Sequence, residues 1–221
     1  MSKRCANFFS WSFFLALLFP ASSFSADGAK DEKQVVESLQ KSYDAIVDFV
    51  VEFRQETEIK ALGRTLKSQG KVYFKRPGKM LWSYDEPKGQ FVLADGKNLY
   101  FYQPDQGQAL KTPFTKAFRS DVPASFLLGL GNLKRDFKTT LKGLEKENYV
   151  LHLRPKGEEG EIGEILLGVE PRTFDIVWVR IRDAVQNLTA IRFSNMRKSV
   201  GLKDSLFWPK IPEGTEVMEL K

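Results

Sequence analysis

The sequence predicts a mainly β fold: one antiparallel, strongly curved, barrel-like sheet with helices packed against it. Three patterns carry this expectation. About a dozen short runs either alternate apolar and polar residues or are apolar throughout, with turn residues between them. One amphipathic helical stripe precedes them, and one short helical pattern interrupts them midway. The chain of 221 residues shows no internal repeat, low-complexity tract or interdomain linker.

Residues 1–25 read as a secretory signal peptide. Lys3 and Arg4 are followed by an apolar run over 8–19, then Pro20 and the small residues Ala21, Ser22, Ser23, Ser25 and Ala26. The run is shorter than the roughly 20 residues a permanent span requires. Cleavage after Ser25 leaves 26–221 as a single exported domain. Cys5 is the only cysteine and would leave with the signal. The exported domain would then hold neither a disulfide nor a lipid-anchor cysteine.

Over 31–47, Val35, Val36, Leu39, Tyr43, Ile46 and Val47 recur at spacings of three and four, which predicts an amphipathic helix. The period then changes to two. Phe49, Val51 and Phe53 open a strand, Leu62-Gly63-Arg64 turns the chain, and 71–75 returns. Arg76-Pro77-Gly78 makes the next turn, and Met80, Trp82 and Tyr84 alternate on the following strand. Asp95-Gly96 between 91–93 and 99–102 predicts a hairpin, because both residue types tolerate positive φ. Beyond Pro113, residues 123–133 suit a helical insertion, with Gly129 and Gly131 at its end. Strands resume at 149–153, 162–169, 174–182, 188–193 and 206–208.

Catalytic chemistry is poorly represented, and no catalytic residue, metal ligand set or cofactor is assigned. His152 is the only histidine and sits mid-strand between Leu151 and Leu153, where packing explains it. No cluster of histidine and cysteine has metal-ligand spacing. Neither a nucleophile elbow nor a phosphate loop is present. Glu158 and Glu159 lie in a glycine-flanked loop. Glycosidase chemistry needs only two carboxylates, so an exported hydrolase stays open as a lesser reading.

Net charge is +6, from 34 basic and 28 acidic residues, mostly interleaved as on a solvated surface. Arg192, Arg197, Lys198 and Lys203 could form a modest basic patch for an acidic partner, though ordinary strand-edge cations are the plainer reading. An exported chain without nucleic-acid motifs points away from nucleic acid.

Large aromatics are plentiful, with 18 Phe, 6 Tyr and 4 Trp. Runs such as Leu99-Tyr100-Phe101-Tyr102 and Ile165-Leu166-Leu167 are apolar on both faces. Such strands need a second apolar environment, either a covering helix or an apolar cavity.

Three stretches then carry a family resemblance. They are Gly70-Lys71-Val72-Tyr73-Phe74-Lys75-Arg76-Pro77-Gly78-Lys79-Met80-Leu81-Trp82, the hairpin Leu93-Ala94-Asp95-Gly96-Lys97-Asn98-Leu99-Tyr100-Phe101-Tyr102-Gln103-Pro104, and Leu206-Phe207-Trp208-Pro209-Lys210-Ile211-Pro212-Glu213-Gly214-Thr215-Glu216-Val217. In this order they resemble the LolA family of periplasmic lipoprotein carriers. The resemblance implies an incomplete antiparallel β-barrel of LolA/LppX type with an α-helical lid over an apolar cavity. It implies a periplasmic monomer that takes acylated lipoproteins from an inner-membrane ABC transporter and delivers them to an outer-membrane lipoprotein receptor. Arg76 matches the family's lid-latching arginine, expected here to reach the 123–131 segment. The acyl-chain cavity is expected to involve Val72, Phe74, Met80, Trp82, Phe91, Leu93, Leu99, Phe101, Phe126, Leu127 and Leu128. A carrier of another lipid or glycolipid on the same fold is the nearest alternative.

Overall fold

In the computed structural model, residues 30–113, 132–156 and 162–219 are described. The expected signal peptide and the expected helical insertion, with Phe126, Leu127 and Leu128, lie outside them, as do Glu158 and Glu159.

Helix α1 (Glu32–Asp44) begins at a capping box. The Asp31 carboxylate accepts from the Gln34 N–H at 2.8 Å, and the Gln34 side chain accepts from the Asp31 N–H at 3.1 Å. Val35, Val36, Leu39 and Tyr43 form the buried stripe. The helix is pinned at its start by Glu32, which accepts from Thr139 Oγ1 at 2.8 Å and from the Leu141 N–H at 3.1 Å.

Twelve strands follow: β1 (Asp48–Ile59), β2 (Arg64–Lys75), β3 (Lys79–Glu86), β4 (Phe91–Asp95), β5 (Asn98–Gln103), β6 (Gln108–Pro113), β7 (Phe137–Glu145), β8 (Asn148–Pro155), β9 (Ile162–Val169), β10 (Ile176–Asp183), β11 (Leu188–Lys198) and β12 (Glu216–Glu219). A single turn of helix, α2 (Leu133–Asp136), precedes β7. The strands form one sheet in the order β12-β6-β5-β4-β3-β2-β1-β11-β10-β9-β8-β7. All neighbours are antiparallel except β12 and β6, which run parallel. The sheet is mainly β as expected and open, not closed into a barrel. Among the described residues no helix is long and apolar enough to cross a membrane.

One face of this sheet carries α1. Register aligns Leu151, Leu167, Val179 and Ile191 in a continuous buried row across β8, β9, β10 and β11. The first half of α1 and Leu133 pack with the β7–β10 side of the face. Tyr43 and Ile46, at the other end of the helix, pack with Phe49, Val51, Phe53, Val72, Phe74, Met80 and Trp82. One helix thus bridges two apolar clusters.

The opposite face is also apolar over β3–β5. Leu93 and Tyr100 are buried there, and the 3₁₀ turn Asp204–Phe207 packs against β3 and β4 with Phe207 fully buried. Residues 206–208 were expected as a strand; instead they belong to this strap, because Phe207 serves as a plug while Trp208 faces solvent. Both environments that the doubly apolar strands demanded are therefore present. The strap starts at Asp48, a buried carboxylate that accepts from the N–H groups of Val200, Gly201 and Leu202 at 2.6, 3.1 and 3.2 Å. It is gripped again at Asp204, which lies 2.6 Å from Lys75 Nζ and 2.8 Å from Lys79 Nζ.

The hairpin of β4 and β5 departs from expectation by one residue. Gly96 and Lys97 form the turn, Gly96 has φ 94°, and Asp95 instead accepts from the Lys97 and Asn98 N–H groups at 2.7 Å each. Phe174, expected to begin β10, sits before it in a turn with φ 56°. Strands β6, β7 and β12 were not foreseen, since threonines, lysines and glutamates dilute their apolar pattern.

Two outcomes follow. A Cβ on Gly168 would fall inside the Trp178 indole, which lies over that glycine. Gly168→Ala is expected to lower stability by about 1–3 kcal/mol through overpacking and to shift Trp178 fluorescence. Thermal melts and emission spectra check this. The Asp204 carboxyl is pulled down to about 2 by hydrogen bonds from Lys75 and Lys79. Its folded-state value lies below that of an unfolded aspartate, so its stabilisation is complete above about pH 4 and is lost as pH falls through about 2. Melts of the wild type and Asp204→Asn should differ at neutral pH and converge near pH 2.

Candidate functional site

The site is an apolar cavity between the C-terminal end of α1 and the sheet. It is lined from α1 and the link after it by Ser42, Tyr43 and Ile46, and from the sheet by Phe49, Val51, Val72, Met80, Trp82, Phe193 and Met196. Phe174, Asp175 and Ile176 close the remaining side. Its volume is about 40 Å³, room for a few waters at most. An acyl chain does not fit without movement of a wall. Met80 and Met196 give two walls the adaptable thioether side chains that repack with little penalty.

Of the expected cavity residues, Val72, Met80 and Trp82 line the space. Phe74 lies beside it, fully buried and stacked on Phe49 with ring centroids 5.1 Å apart. Leu99 packs on the same cluster, and the β4–β5 register puts Phe101 on the same face. Phe91 and Leu93 are corrected: they occupy the opposite face, because Val92 and Ala94 are the partners of Trp82 and Met80. Phe126, Leu127 and Leu128 lie outside the described residues.

Arg76 stands at the turn between β2 and β3. Its Nε donates to the Ile46 carbonyl at 2.9 Å and its Nη2 to the Tyr43 carbonyl at 2.9 Å. The guanidinium also lies 3.6 Å from the Asp44 carboxylate and 5.9 Å from the ring centroids of Tyr43 and Phe74. Two carbonyls at the end of α1, of which Tyr43 also accepts from the Ile46 N–H at 3.2 Å, and two aromatic faces are thus served by one planar cation. Among the described residues its partners lie on α1 and the link after it, and the expected reach of Arg76 to 123–131 falls outside the described residues.

A second contact holds the same end of α1. Ser42 Oγ donates to the Thr173 carbonyl at 3.0 Å. The turn presenting that carbonyl is organised by Glu170, which accepts from the N–H groups of Arg172 and Thr173 at 2.9 and 2.6 Å. Those bonds, the one from Thr173 foremost, hold the Glu170 carboxyl at about 2. Asp175 at the cavity rim pairs with Lys198. Phe174 stacks on Tyr149.

Sequence reasoning missed Ser42, Tyr43, Ile46, Phe49, Val51, Phe174, Asp175, Ile176, Phe193 and Met196 as lining. The alternation of β1 and the stripe of α1 did signal four of them, Tyr43, Ile46, Phe49 and Val51, as inward-facing. Met196 turns inward past a bulge opposite β1, and Phe174 does so through its left-handed backbone, neither of which leaves a period.

His152 is buried on β8 and does not line the cavity. Its Nε2 lies 3.2 Å from Glu164 but makes no hydrogen bond. Burial lowers its pKa, so the ring is neutral at neutral pH.

Comparison with known proteins agrees with this geometry. The family model described as outer membrane lipoprotein carrier protein LolA matches residues 44–210. An outer-membrane lipoprotein carrier protein of Nitrosomonas europaea is 31% identical, over 83% of this chain and 88% of its own length. That of Methylobacillus flagellatus is 29% identical over 92% and 94%. Among solved structures, an uncharacterised conserved protein of Thermus thermophilus shares the fold with TM-score 0.55 at 12% identity, covering 85% of this chain and 98% of that one.

Removing the Arg76 fork should release the end of α1. Arg76→Leu is expected to speed amide exchange of Ala45 and Ile46 about tenfold or more, since each charge-assisted bond contributes about 1.5–3 kcal/mol. Arg76→Lys should restore part of the protection. Hydrogen exchange followed by NMR measures both.

Proposed function

The chain belongs to the LolA family of outer membrane lipoprotein carrier proteins, and from that premise we propose that it carries acylated lipoproteins across the periplasm in the cavity under α1. In this reading residues 1–25 are removed on export and the mature protein is a monomer. Cargo arrives from an inner-membrane ABC transporter and leaves for an outer-membrane receptor. It is a binding protein, with no reaction of its own.

The observation that supports this most is the closed apolar cavity whose one wall, the end of α1, is tied down by Arg76. Acyl chains gain roughly 0.8 kcal/mol for each CH₂ removed from water. Breaking the two Arg76 bonds costs about 3–6 kcal/mol, an amount that on the order of four to eight methylenes offset. A longer chain can therefore open the cavity, and what it retains as net affinity is reduced by the work of opening. Re-forming the latch helps expel the chain when a tighter acceptor is near. Direction follows from relative affinity, and no nucleotide site is required on the carrier.

The test is loading and transfer. The protein should bind a diacylated lipopeptide with a change in Trp82 fluorescence, at a dissociation constant near 1 µM, equivalent to about −8 kcal/mol. The Arg76→Leu variant should load at least as well and release more slowly to an acceptor. Absence of lipopeptide binding, with a free glycolipid bound instead, would move the assignment to another lipid. Failure to bind either would end the carrier reading.

A further inference from the structure

We propose that the face of the sheet turned away from the cavity carries a docking groove for an acidic segment of a partner protein, built around the cross-strand arginine pair Arg54 and Arg192. The groove crosses β2, β1 and β11 and has a volume of about 620 Å³. Its floor is the backbone of Gly70, Phe53 and Phe193, which are paired in register. One wall is Arg54 and Arg192; Lys71 stands on the other, beside Glu52 and Asp85.

Arg54 and Arg192 are directly opposite in the antiparallel ladder. Like charges so placed repel and weaken a sheet. Ordinary surface design would interleave a carboxylate between them. Here the neighbouring carboxylates are engaged elsewhere. Glu56 pairs with Lys67 at 3.4 Å, Glu52 accepts from Asn195 at 2.7 Å, and Glu145 forms a fork-to-fork pair with Arg180 at 2.7 and 3.1 Å. Among the described residues no carboxylate lies within ion-pair distance of Arg54, Arg192 or Lys71. Two exposed guanidinium forks side by side complement two carboxylates on an extended strand, while Lys71 stands opposite Glu52 in the ladder.

A membrane surface fits less well. Glu56, Glu58, Glu86 and Asp85 share this face or its edge and would repel a continuous anionic plane, whereas a narrow acidic segment can lie along the Arg54 and Arg192 wall, away from Asp85. The site lies one sheet thickness from the cavity, so a partner could hold the protein here without covering the route by which cargo enters. The inference stands on the groove alone and does not depend on what the cavity carries.

The test titrates the purified protein with hexaglutamate, with hexaglutamine as control, and follows backbone amides by NMR. Hexaglutamate should shift the amides of 52–54, 69–71 and 192–195 in a saturable, salt-sensitive manner. Exchanging both arginines (Arg54→Gln with Arg192→Gln) should weaken binding about tenfold, because two exposed charge pairs are lost. Both side chains are solvent-exposed, so the fold should be retained, and melts check that. Lys67→Gln, outside the groove, should leave binding unchanged. Shifts confined to other residues, equal binding of hexaglutamine, or undiminished binding by the double variant would overturn the proposal. So would protection of these amides by anionic phosphatidylglycerol vesicles with no response to hexaglutamate.

Discussion

One corner of the molecule holds both covers of the sheet. An open sheet with apolar residues on its two faces must bury both, and here one cover is α1 and the other is the C-terminal strap. Both are tied where β1 begins and β2 ends. The Arg76 N–H donates to the Val47 carbonyl at 2.9 Å, closing the corner itself. From there the Arg76 side chain reaches to the end of α1 on one face. Asp48, next to Val47, gathers three backbone N–H groups of the strap on the other, and Lys75 and Lys79 hold Asp204. The two anchorages differ in kind. Asp48 is buried and bonded to backbone, which makes its cover permanent. Arg76 is partly exposed and bonded through a flexible side chain, the looser of the two grips.

Much of this was legible in the residues, and what was not has definite causes. Period two gave away β1 through Phe49, Val51 and Phe53, and the spacing of three and four gave away α1. The Arg-Pro-Gly turn located Arg76. The face assignment of Phe91 and Leu93 failed because it grouped apolar residues of β4 and β5 without regard to alternation. Centring the turn on Asp95-Gly96 or on Gly96-Lys97 leaves Leu93 on the face of Tyr100, opposite Leu99 and Phe101, so alternation alone separates the four residues. The strap was mistaken for a strand because Phe207 and Trp208 look like strand residues in isolation. Burial of one and exposure of the other is set by the distant Leu93 and Tyr100 surface, which no local window contains. The partners of Arg76 on α1 went unforeseen for the same reason: a side chain of its length can meet any segment that the fold brings near, and sequence distance does not rank them.

The small size of the cavity follows from the same balance. An empty apolar cavity large enough for an acyl chain would forfeit the contacts of every side chain around it, at a cost that grows with its volume. Collapse onto Met80, Trp82, Phe193 and Met196 avoids that loss. The closed state is therefore stabilised partly by its own packing and partly by the Arg76 and Ser42 contacts. In the proposed reading a cargo chain has to replace the packing before it gains anything from the cavity. Flexible methionines on two walls let that replacement proceed in steps, with each methylene that enters displacing a thioether rather than opening a void.

Separating the two faces has a further consequence for any transfer between proteins. If the surface gripped by a partner were the mouth of the cavity, binding the partner would block the exit of the chain it is meant to receive. A sheet only one residue thick offers another arrangement. Side chains of Phe53 and Phe193 fill the apolar side, while their neighbours Arg54 and Arg192 present charge on the other, because alternate residues point to opposite faces. The strand order that places β1 beside β11 thus builds the inner apolar wall and the outer cationic pair in one step. Neither could be moved by a single residue without carrying charge into the cavity and aromatic rings into solvent, so the same register that makes the cavity apolar keeps the arginines outside.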